Sequence, residues 1–210
     1  MYLYVGYYYL LILSSLFYGA VTVRRGSPLS FRLLLWWLIA TVPTEVTATV
    51  LGRLYHDNHW VYLFWEPFDC FMVLLIFYHG MKHGVTKRVC MCLLALALVG
   101  FFIFSLPHFL KLTWNRQGML FYLFCELVGA CLFLTDGLLP GEELSIFKQP
   151  IAWVAFGVIL YSCMYILIHA LWEYIATWPR GRYQLLTDIA NTFEYAGVAA
   201  AFYALRRKPR

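Results

Sequence analysis

Charged side chains are scarce in this chain of 210 residues: Asp, Glu, Lys and Arg make up 13% of it, while 62% of positions are hydrophobic and 20% aromatic. A soluble domain carries roughly 25% charge, so the composition indicates an all-α integral membrane protein, of the bacterial inner membrane or the endoplasmic reticulum. Lysine is missing from the apolar segments. Lys82, Lys87, Lys111, Lys148 and Lys208 all fall between them, which leaves no interior amine for a retinal Schiff base. The net charge of +5 is scattered singly and in pairs rather than gathered in a stripe, which excludes a nucleic-acid partner. The six cysteines include no Cys-x-x-Cys pair, and each lies in an apolar run, excluding a disulfide framework and a zinc ribbon. No nucleophile elbow, Walker loop or dinucleotide fingerprint is present. The amino-terminal segment lacks a basic start and carries its arginines afterwards, so it reads as a retained span rather than a cleaved leader.

What is present is a series of seven apolar windows, 3–23, 33–53, 60–80, 88–108, 117–139, 150–174 and 184–205, each near the ~20 residues that a bilayer requires. The connections are short, so the chain 1–210 forms one domain. With the amino terminus outside, eleven of the sixteen Lys and Arg residues fall on the cytoplasmic side, and only Arg53, Lys111, Arg116, Arg180 and Arg182 fall outside. The positive-inside rule therefore places the carboxyl terminus in the cytoplasm.

Acids within such spans are costly and point to function. At 1.5 Å per residue from the outer end of each window, Glu66 lies roughly 9 Å deep, Glu45 about 12 Å, Asp69 and Glu126 about 13 Å, and Glu194 about 15 Å. Four helices thus supply acids to one layer. Thr41, Glu45 and Thr49 share a helix face, as do Asp188, Asn191, Glu194 and Tyr195. Carboxylates crowded in a low dielectric cannot all ionise, and one that keeps its proton is an acid catalyst. Trp36, Trp37, Trp60, Phe64, Trp65, Phe68, Tyr122, Trp153, Tyr161, Tyr165 and Tyr195 offer ring faces to a positive charge, among them Trp65, Phe68, Tyr122, Trp153 and Tyr161 as candidate substrate contacts beside Asp188, Asn191 and Tyr195. The same acids are also compatible with hydrogen bonding that fixes helix packing. His56 and His59 around Asp57 have a spacing that zinc accepts given a third ligand such as His108 or His169, but a solvated loop is the expectation, with no metal and no cofactor. The His-x-x-x-His of seven-helix metal hydrolases is absent from the last window.

The runs VPTEVTATVL, NHWVYLFWEPFDCFMVLLIFY, PIAWVAFGVILYSCMYIL and DIANTFEYAGVAAAFYAL resemble a family of uncharacterised bacterial seven-helix proteins, in the Thr-Glu of the second helix, the Pro-x-x-Trp-x-x-x-Gly-x-x-x-Tyr of the sixth and the Asn-x-x-x-Tyr of the seventh. That resemblance covers most of the chain from residue 30 and implies the fold. A looser similarity is to membrane-bound terpene cyclases of the meroterpenoid and indole-diterpene pathways. They carry one essential acid on helix two and another on helix seven, positions matched by Glu45 and Glu194. The chain departs from them in having Glu on helix seven and Thr44, not Trp, before Glu45. The cyclase likeness implies protonation-initiated cyclisation or isomerisation of a lipophilic, isoprenoid-like substrate drawn from membrane lipid. Glu45 or Glu194 would be the donor, and Glu66, Asp69 or Glu126 the partners or terminal base. No DDxxD-like diphosphate site accompanies them. A receptor, or a proton-coupled carrier with an acidic cavity, is the alternative the residues leave open.

Overall fold

The computed structural model describes residues 2–55, 58–111, 113, 115–138, 149–175, 177–178 and 180–207. His56 and Asp57 of the zinc spacing, and the acidic loop with Glu142 and Lys148, lie outside the described residues.

Every described element is a helix: α1 (Tyr2–Thr22), α2 (Leu29–Leu54), α3 (His59–Gly80), α4 (Gly84–Gly100), a π turn (Phe101–Ser105), α5 (Leu106–Lys111), α6 (Arg116–Asp136), α7 (Pro150–Ala170), α8 (Trp172–Ile175) and α9 (Arg180–Arg207). Each expected window contains one long rod, with α4, the π turn and α5 running on as a single one. Among the described residues five rods are long and apolar enough to cross a membrane: α2, α3, α4 to α5, α6 and α7. The chain is therefore an integral membrane protein. α9 is long enough but less apolar, because it carries Asp188, Asn191 and Glu194 with arginines near both ends.

Local chemistry sets the boundaries. Asn115 caps α6, its side-chain oxygen accepting from the Gly118 amide at 2.8 Å. A Cβ on Gly118 would collide with that side chain, so the cap requires a glycine there. Pro150 opens α7 at its first turn, where its missing N–H costs nothing. Pro107 removes the amide that would bond Ile103 and crowds that carbonyl, and the chain widens just before it into the π turn, where the Leu106 amide bonds back to the Phe101 carbonyl. The expected sixth window, 150–174, breaks at Leu171, and α8 follows as a short separate turn.

α1, α2, α3, α6, α7 and α9 form a closed ring, each packing on the next and α9 returning to α1. The α4 to α5 rod lies outside the ring against α3 and α6, and α3 also touches α7 across the centre. The most extensive contact joins α7 and α9. Two glycines explain it. A Cβ on Gly157 would lie 2.8 Å from the Phe193 carbonyl oxygen, and one on Gly197 would lie 2.5 Å from that of Trp153. Lacking Cβ atoms, the two backbones approach closely and gain the dispersion contacts that hold helices together in lipid. Toward the other end, Phe77 stacks on Phe133 at 5.5 Å and Leu38, Leu74 and Phe202 are fully buried.

The ends are tied by polar contacts. At one, the Arg116 guanidinium donates to the His169 carbonyl at the close of α7. At the other, Asp136 accepts from the main-chain amides of Lys82 (2.8 Å) and His83 (3.0 Å), from the Thr86 hydroxyl, and pairs with the His83 ring at 3.1 Å. A carboxylate set against the two amides just before α4 satisfies main-chain donors at the entry of that helix and lies at its positive end. The Arg116 end and the Asp136 end serve below as the two poles of the bundle.

Candidate functional site

The ring turns its acids inward, and they fall into two layers. Asp69 from α3, Glu126 from α6 and Glu194 from α9 make the deeper one, all three buried. Asp69 accepts the indole N–H of Trp37 from α2, and the Trp37 ring stacks on Tyr195 of α9 at 5.8 Å. One aromatic residue thereby fixes the carboxylate of α3 against two other helices. Glu126 lies in electrostatic reach of Asp69, Glu194 and Glu66, and Glu194 of Asp69 and Glu45. Tyr161 of α7 faces all three deep acids. Beneath them the Cys70 and Cys125 thiols hydrogen-bond, pinning α3 to α6.

Two oxygens of this layer, Glu126 Oε2 and Glu194 Oε1, are fully buried and have no hydrogen-bond partner among the described residues. A buried, unmatched carboxyl oxygen is expensive, at about 1–3 kcal/mol or more. Acids retained only for packing pair their oxygens; these two leave one each directed into the protein interior.

The shallower layer, toward the Arg116 end, centres on Glu45. Tyr9 of α1 donates to the Glu45 carbonyl at 3.2 Å and bonds the Thr49 hydroxyl. Tyr62 of α3 lies in reach of Glu45, Tyr9, Tyr183 and Glu66. Tyr165 of α7 lies in reach of Tyr183, Tyr62 and Glu45, and its hydroxyl donates to Asn191 Oδ1 at 3.4 Å. Three tyrosines from three helices thus gather around a carboxylate from a fourth, and Tyr183 of α9 lies in reach of two of them. Tyr165 also joins the layers, since its ring packs on that of Tyr161 at 4.7 Å. Above it the rings continue through His169 and Trp172, each stacked at 6.0 Å, to Tyr183.

Not every candidate joins this interior. Glu45, Glu66, Asp69, Glu126, Glu194, Tyr161, Asn191 and Tyr195 do. Tyr122 is buried in reach of Glu66, and its hydroxyl bonds that of Ser105 in the π turn, at 2.7 Å. Asp188 sits nearer the Arg116 end, one oxygen bonded to Gln184 at 3.1 Å and the other buried without a partner among the described residues. Trp65 and Phe68, candidate substrate contacts, pack together at 5.3 Å and line a groove between α2 and α3 with Pro43, Thr44, Trp60 and Phe64, Trp65 packing against the buried core as well. The groove holds about 520 Å³ and opens on the outer surface. The reason is angular: Glu66 and Asp69 claim the inner face of α3, so Phe64 and Phe68, four apart, fall on the other. Trp153 is 37% exposed and Trp36 64% exposed, and both belong to the outer surface.

Tyr9, Tyr62 and Tyr183 went unnoticed in the sequence. Tyr62 precedes Glu66 by four residues and Tyr183 precedes Glu194 by three full turns, so both lie on faces already marked by acids. Tyr9 sits in a run of three tyrosines that offers no such mark. Among the described residues no three His, Cys, Asp or Glu side chains are grouped to hold a metal ion.

No family model, curated protein or solved structure matches the chain.

Proposed function

We propose that this protein is a membrane-embedded acid catalyst that cyclises or isomerises a lipophilic, isoprenoid-like substrate, and that the seven rods all span the bilayer with the Arg116 end outside. The observation that carries the reading is the deep layer itself: three buried carboxyl groups in one field, two of them with an unmatched oxygen. Like charges so placed in a low dielectric do not all ionise together, and the layer holds both a carboxylic acid and a carboxylate.

Those two forms suffice for the chemistry. The acid O–H passes its proton to an alkene carbon, leaving a carboxylate on the protein and a cation on the substrate. A neighbouring carboxylate then removes a proton from the adjacent carbon, which restores a double bond and a carboxylic acid. Proton count and charge balance over the cycle. Glu194 and Glu126, with their free oxygens, are assigned donor and base, and Asp69, held by Trp37, keeps the field fixed. The rings of Tyr161, Tyr195 and Trp37 shelter the cation. The groove between α2 and α3 gives a lipid tail a place beside Thr44 and Trp65, the chain neighbours of Glu45 and Glu66. The orientation follows from the basic residues: among the described ones Arg24, Arg25, Arg32, Lys82, Lys87, Arg88, Arg206 and Arg207 lie toward the Asp136 end.

A proton-coupled carrier is the second reading, favoured by the aromatic column from Tyr161 to Tyr183. The two are separated by extracting the protein in mild detergent and identifying co-purified molecules by mass spectrometry. An isoprenoid lipid supports the catalyst. A small water-soluble solute held in its place overturns it.

A further inference from the structure

We infer that the tyrosine layer is the route by which protons pass between water at the Arg116 end and the deep carboxyl groups, with Glu45 as the relay acid and Tyr165 as its gate. The inference rests on the catalytic reading of the deep layer and deepens it, because an acid that serves as a proton donor must be able to regain its proton.

Three features point the same way. Among the described residues the inward tyrosines lie on one side of the acids: Tyr9, Tyr62, Tyr165 and Tyr183 stand between them and the Arg116 end, whereas toward the Asp136 end Leu38, Leu74, Phe77, Phe133 and Phe202 pack the interior. Glu45 lies within electrostatic reach of both layers, of Tyr62 and Tyr165 on one side and of Glu194 on the other. Tyr165 is fixed at the boundary, its hydroxyl directed by Asn191 and its ring packed on Tyr161. A phenol hydroxyl donates one proton and accepts another, so a chain of them with interposed water moves a proton without a net change in any member. Asn191, which accepts from Tyr165, is a positioning residue, and Asp188 one turn away supplies a carboxylate near the mouth. The step is a transfer from Glu45–COOH to the deprotonated Glu194, after which Glu45 is reprotonated through the hydroxyls; no electrons move.

The test needs no substrate. The purified full chain in lipid nanodiscs is moved from H2O into D2O, and the carboxylic C=O stretch is followed by infrared spectroscopy. Glu194→Gln identifies which part of the band belongs to the deep layer. Tyr165→Phe, which keeps the ring, and Tyr62→Phe, on a different helix, are compared with wild type and with Trp36→Phe on the outer surface. Exchange at least tenfold slower in the two tyrosine variants, unchanged in Trp36→Phe, is the expected result. Loosened packing alone admits water and speeds exchange, so slowing separates a broken route from a structural effect. A band that exchanges at the wild-type rate or faster in both tyrosine variants overturns the route while leaving the catalytic reading in place. Absence of any protonated carboxyl band in wild type overturns the catalytic reading and the route with it.

Discussion

Replacing Gly197 by alanine tests the close crossing of α7 and α9 on which Glu194 depends. The new Cβ would stand 2.5 Å from the Trp153 carbonyl oxygen and 3.1 Å from Gly157 Cα. Both are main-chain atoms of α7, so no side chain can swing aside. Ordinary contact begins at 3.4 Å, and the helices must therefore part by roughly 0.9 Å at this point, a displacement of the size that costs about 1–3 kcal/mol in a packed interior. Taking about 2 kcal/mol, a chain of this length melts roughly 4–8 °C lower. The measurement is thermal unfolding in detergent followed by circular dichroism. Gly84→Ala is the control, since nothing lies within 4 Å of a Cβ there, and it stays within about 0.5 kcal/mol of wild type. Gly157→Ala, whose Cβ would meet the Phe193 and Glu194 carbonyls at 2.8 and 3.1 Å, destabilises by a similar amount. The double variant loses less than the two losses added, because the first methyl has already opened the gap. A Gly197→Ala protein melting within 1 °C of wild type, or full additivity of the pair, refutes the close-crossing argument.

Two further substitutions probe the polar anchors. Trp37→Phe removes the indole donor to buried Asp69 and lowers stability by about 1–3 kcal/mol, read as a fall in melting temperature; an unchanged value denies that bond a role. Asp136→Ala strips the acceptor from the Lys82 and His83 amides that lead into α4 and from the Thr86 hydroxyl at a cost of about 1–3 kcal/mol. Hydrogen exchange accelerates there at residues 82–86 while α9 keeps its protection, and acceleration spread evenly over the chain contradicts the local account.

The helical rods were legible because each apolar run between polar connections had the length of a span, and the inner faces were legible because Thr41, Glu45 and Thr49, and Asp188, Asn191 and Glu194, recur with helical spacing. What spacing does not carry is the angle at which one helix meets another. It therefore left open that Phe64 and Phe68 face outward, a consequence of Glu66 and Asp69 taking the inner face of α3. It also left Tyr9, Tyr62 and Tyr183 unmarked, since a tyrosine near a span end has the same pattern whether it anchors in the interface or turns inward. Asp136 carried no mark in the sequence because the amides that donate to it, at Lys82 and His83, are more than fifty residues away. The π turn is explained afterwards by Pro107, but proline alone does not distinguish a π turn from a kink.

The central claim is that the deep carboxyl groups deliver a proton to a carbon atom, and deuterium incorporation measures it directly. Wild-type protein in nanodiscs made from an isoprenoid-containing membrane lipid extract is incubated in D2O, and the neutral lipids are examined by high-resolution mass spectrometry after back-exchange in H2O. One deuterium retained on carbon in an isoprenoid product is the expected result, and Glu194→Gln, folded by its melting curve, loses it by about 10²–10⁴ in rate. Carbon-bound deuterium formed equally by wild type and Glu194→Gln, or by neither, contradicts the account.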